Sequence, residues 1–183
     1  MTAFAQGNEG AFVELYDRYK IRIFNLARRL LAGDRARAEE AAQDVFLKLY
    51  GAKKSYQPTA RFSTFLYRIA INHCLNSRAR KSERMTSVDP DLDQRTQSEG
   101  ASAERLLERS DLRESLRVAL AKLPDAQRAA LVLCHYEGAS YREAADMLDV
   151  TEAAVKSLVH RARTRLTTDL AQWMPATEAR SST

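Results

Sequence analysis

Apolar residues recur at helical spacing through the first eighty residues. From residue 10 to residue 31 they fall three or four positions apart, which predicts an amphipathic helix. Its apolar stripe comprises Phe12, Leu15, Tyr16, Tyr19, Ile23, Leu26, Ala27 and Leu30. Gly33 ends this helix, and Asp34 is suited to cap a second helix over residues 35–50. After a loop at residues 51–60, a third helix runs from Ser63 to about residue 80. These three helices suffice for one small core.

The same helical spacing returns near residue 104. One helix ends before Pro124, which suits the first turn of the next helix, and Gly138 ends that one. Ser140 and Glu143 have the spacing of a capping box, so they predict the start of a short helix that ends near Leu148. Thr151 can then cap a last helix that extends to about residue 170. Small and apolar residues should pack these last two helices together: Ala144, Ala145, Leu148, Val150, Val155 and Leu158.

Residues 82–103 carry many Ser, Thr, Asp and Gln side chains and almost nothing to bury. Such a segment cannot form a packed core, so it predicts a linker between two domains. The expected fold is all-α: a helical domain at residues 1–82, a flexible linker at 83–104, and a second helical domain at 105–172. The tail at residues 173–183 is predicted to be disordered.

Composition narrows the class of protein. No run of about 18 apolar residues is present, and the N-terminus lacks a secretion signal, so we expect a cytoplasmic protein without membrane insertion. The pairs His73-Cys74 and Cys134-His135 lack the spacing of a zinc site, and we predict neither metal nor cofactor. No Gly-rich phosphate loop, nucleophile elbow or paired-carboxylate site indicates an enzyme.

The distribution of charge points to an anionic partner more clearly than the net charge of +5 does. Residues 51–82 contain no Asp or Glu, whereas residues 83–108 are predominantly acidic. The basic side chains of the first stretch are Lys53, Lys54, Arg61, Arg68, Arg78, Arg80 and Lys81. Aromatic residues such as Tyr56 and Phe65 alternate with these cations. Stacking surfaces beside cations are what single-stranded nucleic acid requires, although some of the aromatic residues must also belong to the core.

The last two predicted helices have the pattern of a helix-turn-helix. The second of them carries a basic face without acidic residues from Ala153 to Leu166, which suits the major groove of DNA. A purely structural helical hairpin would show similar spacing. The cap, the turn, the packing residues and the basic face together favour DNA binding.

Two segments resemble the extracytoplasmic-function sigma factors of bacteria: FSTFLYRIAINHCLNSRARKSER at 62–84 and the stretch from Leu123 to Leu166. The segment AEEAAQDVFLKLY at 38–50 resembles the family as well, and the resemblance extends from residue 9 to about 170. It implies a subunit that binds core RNA polymerase and directs it to promoters, with sigma domain two before the linker and sigma domain four after it. An anti-sigma factor is the regulator expected for such a protein.

The resemblance also implies roles for individual residues. Contacts with core polymerase would come from Glu40, Gln43, Asp44, Leu47 and Lys48. The melted minus-ten strand of promoter DNA would be bound by Lys53, Lys54, Tyr56, Arg61, Phe65, Arg68, Asn72 and Arg80, with a flipped base held in the loop at 55–61. The minus-thirty-five duplex would be read by Thr151, Glu152, Lys156, Ser157, His160, Arg161 and Arg163. In the linker, Asp89, Asp91, Asp93 and Glu99 would imitate the charge of RNA.

Three positions depart from the family pattern. Phe65 stands where Trp is usual, Asn76 where Asp is common, and Leu158 where Arg is frequent.

Two other classes of protein remain possible at this point. A helix-turn-helix regulator that acts on duplex DNA without being a polymerase subunit would explain residues 140–166 only. An adaptor or antagonist that sequesters a protein partner would need no basic tract free of acids.

Overall fold

The computed structural model describes residues 1–58, 61–82 and 103–173, in which every regular element is helical. The α-helices are α1 (Thr2–Ala5), α2 (Glu9–Leu30), α3 (Arg35–Gly51), α4 (Phe62–Ser82), α5 (Ala103–Lys122), α6 (Asp125–Leu131), α7 (Tyr141–Leu148) and α8 (Glu152–Asp169). Short 3-10 turns cover Ala52–Lys54 and Ala171–Trp173, and a π-helical turn covers Val132–Tyr136. Residues 83–102 of the predicted linker and 174–183 of the predicted tail lie outside the described residues. The all-α prediction is confirmed.

Helices α2, α3 and α4 form the N-terminal bundle. Their apolar stripes meet in a core in which Leu26, Leu30, Val45 and Leu66 are inaccessible to solvent. Asn8 and Asp34 cap α2 and α3 by accepting hydrogen bonds from the backbone of Ala11 and Arg37, as the sequence predicts for Asp34. The capping residues and the apolar stripes therefore fix where these helices begin and which side they bury.

A short N-terminal helix, α1, is an addition that the sequence pattern did not predict. Its Phe4 side chain is fully buried, with ring centroids 5.0 Å from Phe12 and 5.2 Å from Tyr50. Four helical residues are too few to show a periodicity, so only the aromatic character of Phe4 distinguishes this segment. The aromatic cluster fastens the N-terminus over the end of α3.

Helices α5 to α8 form the C-terminal bundle. Its core contains Val132, Leu133, Ala144, Val155 and Val159, all essentially buried. Leu148 and Leu158 are half-buried beside this core. The prediction that Val150 packs between the last two helices is wrong, because its side chain is 42% exposed in the turn.

The two bundles pack against each other, and their buried apolar residues form one connected cluster. Helix α4 of the N-terminal bundle contacts α7 of the C-terminal bundle. At another edge, Arg117 on α5 donates a hydrogen bond of 2.7 Å to the carbonyl of Ala32. The same Arg117 side chain lies against Gly33, where φ is +86° and an added Cβ would come within 2.7 Å of its Cδ. Glycine at this turn therefore permits both the backbone conformation and the contact with α5.

Candidate nucleic-acid interfaces

Helices α7 and α8 and the three residues between them have the local geometry of a helix-turn-helix. The Ser140 hydroxyl accepts a hydrogen bond from the backbone N–H of Glu143 at 3.2 Å, and the Glu143 carboxylate accepts one from the backbone N–H of Ser140 at 3.0 Å. The predicted capping box is therefore confirmed. Asp149 takes a left-handed conformation with φ of 57°, which ends α7, and Thr151 caps α8 through the N–H of Ala154.

The predicted DNA-reading residues lie together on the outer side of α8 and at its start. All seven are exposed: Thr151, Glu152, Lys156, Ser157, His160, Arg161 and Arg163. Lys156 forms an ion pair of 2.9 Å with Glu152, and Arg161 donates a hydrogen bond to the Ser157 carbonyl. Leu158, which departs from the family pattern, is half-buried and packs against the core cluster instead. The basic side chains thus face solvent while the apolar ones hold the helix in place.

Helix α4 presents a second surface, which we call the strand face: Arg61 just before the helix, then Phe65, Arg68 and Asn72. These positions are three or four residues apart and so share one side of the helix. The Arg61 side chain is 79% exposed, and Arg68 and Asn72 are exposed as well. Phe65 is half-buried, with Tyr56 of the preceding loop packed edge-on at 5.2 Å between ring centroids. Cations and aromatic rings therefore stand side by side, as single-strand binding requires.

The remaining residues of the predicted minus-ten set have different surroundings. Lys53 forms an ion pair of 2.6 Å with Glu9, and its ammonium lies 4.7 Å from the centre of the Phe4 ring. The Lys53 ammonium, together with a hydrogen bond from the Tyr50 hydroxyl, keeps the pKa of Glu9 below its ordinary value. Lys54 is exposed. Arg80 lies in α4, but its side chain is outside the described residues.

The predicted polymerase-binding residues share one side of α3. Glu40, Gln43, Leu47 and Lys48 are exposed, and Leu47 is notable as an apolar side chain that is 69% exposed. A second large apolar side chain on α3, Tyr50, is 46% exposed. The polymerase-binding candidates therefore include one large exposed apolar side chain, Leu47, among charged and polar ones.

His73 on α4 connects two residues of this α3 surface, and the sequence did not indicate that role. Its Nδ1 lies 2.8 Å from the ammonium of Lys48, and its Nε2 lies 3.4 Å from a carboxylate oxygen of Asp44. This arrangement fits a neutral imidazole that accepts a hydrogen bond at Nδ1 and donates one at Nε2. The polymerase-binding candidates on α3 are thereby held against the back of the helix that carries the strand face.

Two residues of the strand face also contact the C-terminal bundle. Arg61 forms an ion pair of 2.8 Å with Glu143, and Arg68 donates a hydrogen bond of 2.5 Å to the backbone carbonyl of Asp146. Both partners belong to α7, the first helix of the helix-turn-helix. Sequence reasoning missed these contacts, because nothing in a local pattern shows which side chains meet across 82 and 78 residues of chain.

No metal centre is found among the described residues, where no three His, Cys, Asp or Glu side chains group together. Cys74 is buried in the core, and burial raises the pKa of its thiol to about 12. It therefore behaves as a small apolar residue. None of the helices in the described ranges is long and apolar enough to cross a bilayer.

Comparison with known proteins finds two matching family models. The family model described as Sigma-70 region 2 matches residues 15–84, and that described as Sigma-70, region 4 matches residues 113–166. The ECF RNA polymerase sigma factor SigE of Mycolicibacterium smegmatis is 36% identical over 87% of this chain and 61% of its own length. The chain thus spans less than two thirds of that relative. The ECF RNA polymerase sigma factor SigW of Bacillus subtilis is 30% identical over 88% of this chain and 89% of its own length.

Two solved structures have a similar fold. The structure titled "Structure of CnrH in complex with the cytosolic domain of CnrY" aligns with a TM-score of 0.67 at 25% identity, over 92% of both chains. The sigma factor RpoE of Bartonella quintana, solved in complex with the anti-sigma factor NepR, aligns with a TM-score of 0.65 at 22% identity. That alignment covers 88% of this chain and 97% of the other, and it bears on the fold alone.

Proposed function

The chain belongs to the extracytoplasmic-function sigma factors of bacterial RNA polymerase, and we propose that it gives core polymerase its choice of promoter. The observation that carries the proposal is the presence of two exposed nucleic-acid surfaces of different chemistry in one chain. The outer side of α8 is basic and polar, whereas the strand face of α4 combines cations with aromatic rings. Residues 1–82 act as sigma domain two and residues 105–172 as sigma domain four, with the segment 83–104 between them.

The α8 surface reads the minus-thirty-five element as duplex DNA. Lys156, Ser157, His160 and Arg161 supply donors and acceptors for base edges in the major groove. Arg163 and the N-terminal end of α8 contact phosphates, which position the helix and make binding sensitive to salt. Because Leu158 packs inward, this set of side chains determines specificity without a cation at that position.

The strand face captures the melted minus-ten strand. Arg61 and Arg68 follow the phosphates, Phe65 stacks on a base, and Asn72 offers an amide to a base edge. Tyr56 packs edge-on against Phe65, so the loop before α4 is held beside the stacking ring. Unstacking a base costs a few kcal/mol, which stacking on Phe65 and the contacts with the phosphates offset. Lys53, which is paired with Glu9, and the exposed Lys54 add positive charge for the same strand.

Core RNA polymerase binds the α3 surface, where Leu47 supplies apolar contact and Glu40, Gln43, Asp44 and Lys48 supply polar contacts. The protein acts in the cytoplasm and performs no catalysis itself, since the polymerase carries out the chemistry. An anti-sigma factor is a further partner in this proposal, because such a regulator is expected for a member of this family. A regulator confined to duplex DNA is not favoured, because it leaves the strand face and the α3 surface without a role.

Run-off transcription tests the proposal. Core polymerase is incubated with and without the protein on a library of upstream regions from the bacterium that encodes it. Transcripts with defined starts that require the protein would support the proposal, and their upstream sequences would give both promoter elements. If no new start appears while the protein alone retards duplex DNA in a gel, the chain is a regulator of duplex DNA instead.

A further inference from the structure

One histidine on the neighbouring helix supports the proposed polymerase-binding surface of α3. The side chain of His73 on α4 is only 13% exposed, and its imidazole contacts both Asp44 and Lys48. These two residues are four positions apart, so they lie one turn from each other on the same side of α3. The ring reaches the Asp44 carboxylate at 3.4 Å and the Lys48 ammonium at 2.8 Å. His73 therefore fixes the relative positions of two charged groups on this surface.

The contact with Lys48 requires a neutral imidazole. An ammonium group donates hydrogen bonds but accepts none, so Nδ1 of His73 must accept, and the single ring proton lies on Nε2, toward Asp44. A second proton would make Nδ1 a donor that faces another donor, with two positive charges in contact. Lys48 would then move away from the ring, and the imidazolium would be drawn to the Asp44 carboxylate.

Other charged groups on the helices packed against α4 contact different residues. These contacts join Arg37 of α3 with the Ser77 carbonyl, Arg22 of α2 with the Tyr67 hydroxyl through its charge, Glu143 of α7 with Arg61, and Asp125 of α6 with Arg78. Asp44 and Lys48 are thus the charges that respond most directly to a proton on His73.

We propose that His73 is a positioning residue for core polymerase, whose neutral form holds Asp44 and Lys48 in the arrangement that polymerase binds and whose protonation weakens that binding. The proposal rests on the function assigned to the α3 surface above. With a neutral ring, the Asp44 side chain is 45% exposed and keeps its full negative charge for a partner. An imidazolium would offset that charge and displace Lys48. Histidine ordinarily gains a proton between about pH 5 and 8, so the affinity for polymerase should fall as the pH drops through this range.

The test measures the dissociation constant of the labelled full chain for core polymerase, without DNA, by fluorescence anisotropy at about pH 7.5 and about pH 5.5. His73→Gln is the conservative variant, because its amide can accept from Lys48 and donate to Asp44 but does not titrate. His73→Leu fills the space without either contact. His135→Gln is the matched control, since His135 is exposed and belongs to none of the proposed binding surfaces.

The unaltered protein and His135→Gln should both lose about fivefold or more in affinity at the lower pH, whereas His73→Gln should change by less than about twofold. His73→Leu should bind about fivefold more weakly than the unaltered protein at the higher pH, and His73→Gln should restore most of that loss. An equal pH response in His73→Gln, or full affinity in His73→Leu, would overturn the proposal.

Nuclear magnetic resonance of the free protein separates this proposal from the sigma-factor proposal. At the higher pH, the ring nitrogen shifts of His73 should show a neutral imidazole with its proton on Nε2, and Lys48→Met should shift the Nδ1 signal. A proton on Nδ1 instead, or a signal that ignores Lys48→Met, would overturn the positioning role whatever the polymerase does. If the ring contact is present but the unaltered protein does not bind core polymerase, the function assigned to α3 fails, and the role of His73 in binding fails with it.

Discussion

Replacing Arg128 by methionine should test how the start of the C-terminal bundle is held together. Arg128 is fully buried, and burial lowers the pKa of its guanidinium to about 10. It donates hydrogen bonds to the carbonyls of Leu120 and Ala121 at the end of α5 and forms an ion pair with Asp125. Asp125 is also paired at 3.2 Å with Arg78 of the N-terminal bundle. One side chain therefore joins the end of α5 to the start of α6.

The expected loss in the free energy of unfolding follows from the groups that lose their hydrogen-bond or ion-pair partner when Arg128 is replaced. Methionine preserves most of the apolar stem, but the buried carbonyl of Leu120 and the part-buried carbonyl of Ala121 lose their donor, at about 1 kcal/mol or more each. Asp125 retains Arg78 as a partner, so the penalty stays below the roughly 3–5 kcal/mol typical when a buried pair is broken. We expect Arg128→Met to lower the free energy of unfolding by roughly 2–3 kcal/mol.

Urea unfolding followed by circular dichroism measures this change, provided that the slope m is the same for both proteins. Arg165→Met serves as the control, because Arg165 is exposed on α8 and its replacement should change the free energy of unfolding by less than about 0.5 kcal/mol. A loss below about 1 kcal/mol for Arg128→Met would refute the reasoning, since it would mean that the buried hydrogen bonds are not stabilising the fold.

Three further predictions concern the proposed surfaces and the core. Lys156→Ala should weaken transcription from promoters that depend on a minus-thirty-five element by about fivefold or more, with polymerase binding unchanged in a pull-down; loss of both would indicate misfolding instead. Asp44→Lys should weaken association with core polymerase while it changes the stability of the protein little. Unaltered association would remove Asp44 from that surface. Because burial raises the pKa of Cys74 from 9.0 to about 12, the stability that it contributes below pH 9 should be lost at about 1.4 kcal/mol per pH unit above it. Burial also raises the pKa values of Tyr67 and Cys134, so these two groups add to the slope in the same range. In a titration of unfolding between pH 9 and 11, Cys74→Ala should therefore reduce the slope by about 1.4 kcal/mol per pH unit; an equal slope in both proteins would contradict the assignment.

Local sequence patterns predicted the helices and their caps well, for physical reasons that act over a few residues. The Ser140–Glu143 capping box and the Thr151 cap depend only on neighbours in the chain, and both are present. The exposed basic side of α8 follows from helical periodicity alone, which turns Lys156 and Arg161 away from the side buried by Val155, Val159 and Ala162. These features could be read without knowing what the helices pack against.

Contacts between distant parts of the chain could not be predicted in this way. No local pattern distinguishes Glu137 from other polar residues, yet its side chain is nearly buried between α2 and α4. Lys53 belonged to an acid-free basic tract, but Glu9, 44 residues away, neutralises it. In both cases the partner is determined by how the bundles pack, and no local pattern carries that information.

The central claim is that this protein confers promoter recognition and strand capture on core polymerase. The most direct measurement places 2-aminopurine in the minus-ten segment of a promoter identified by run-off transcription and follows its fluorescence. We predict that fluorescence rises, as the base unstacks, only when core polymerase and the protein are both present, and that the Phe65→Ala variant reduces the rise. A rise with core polymerase alone, or no rise with both while the protein binds the duplex tightly by itself, would contradict the account.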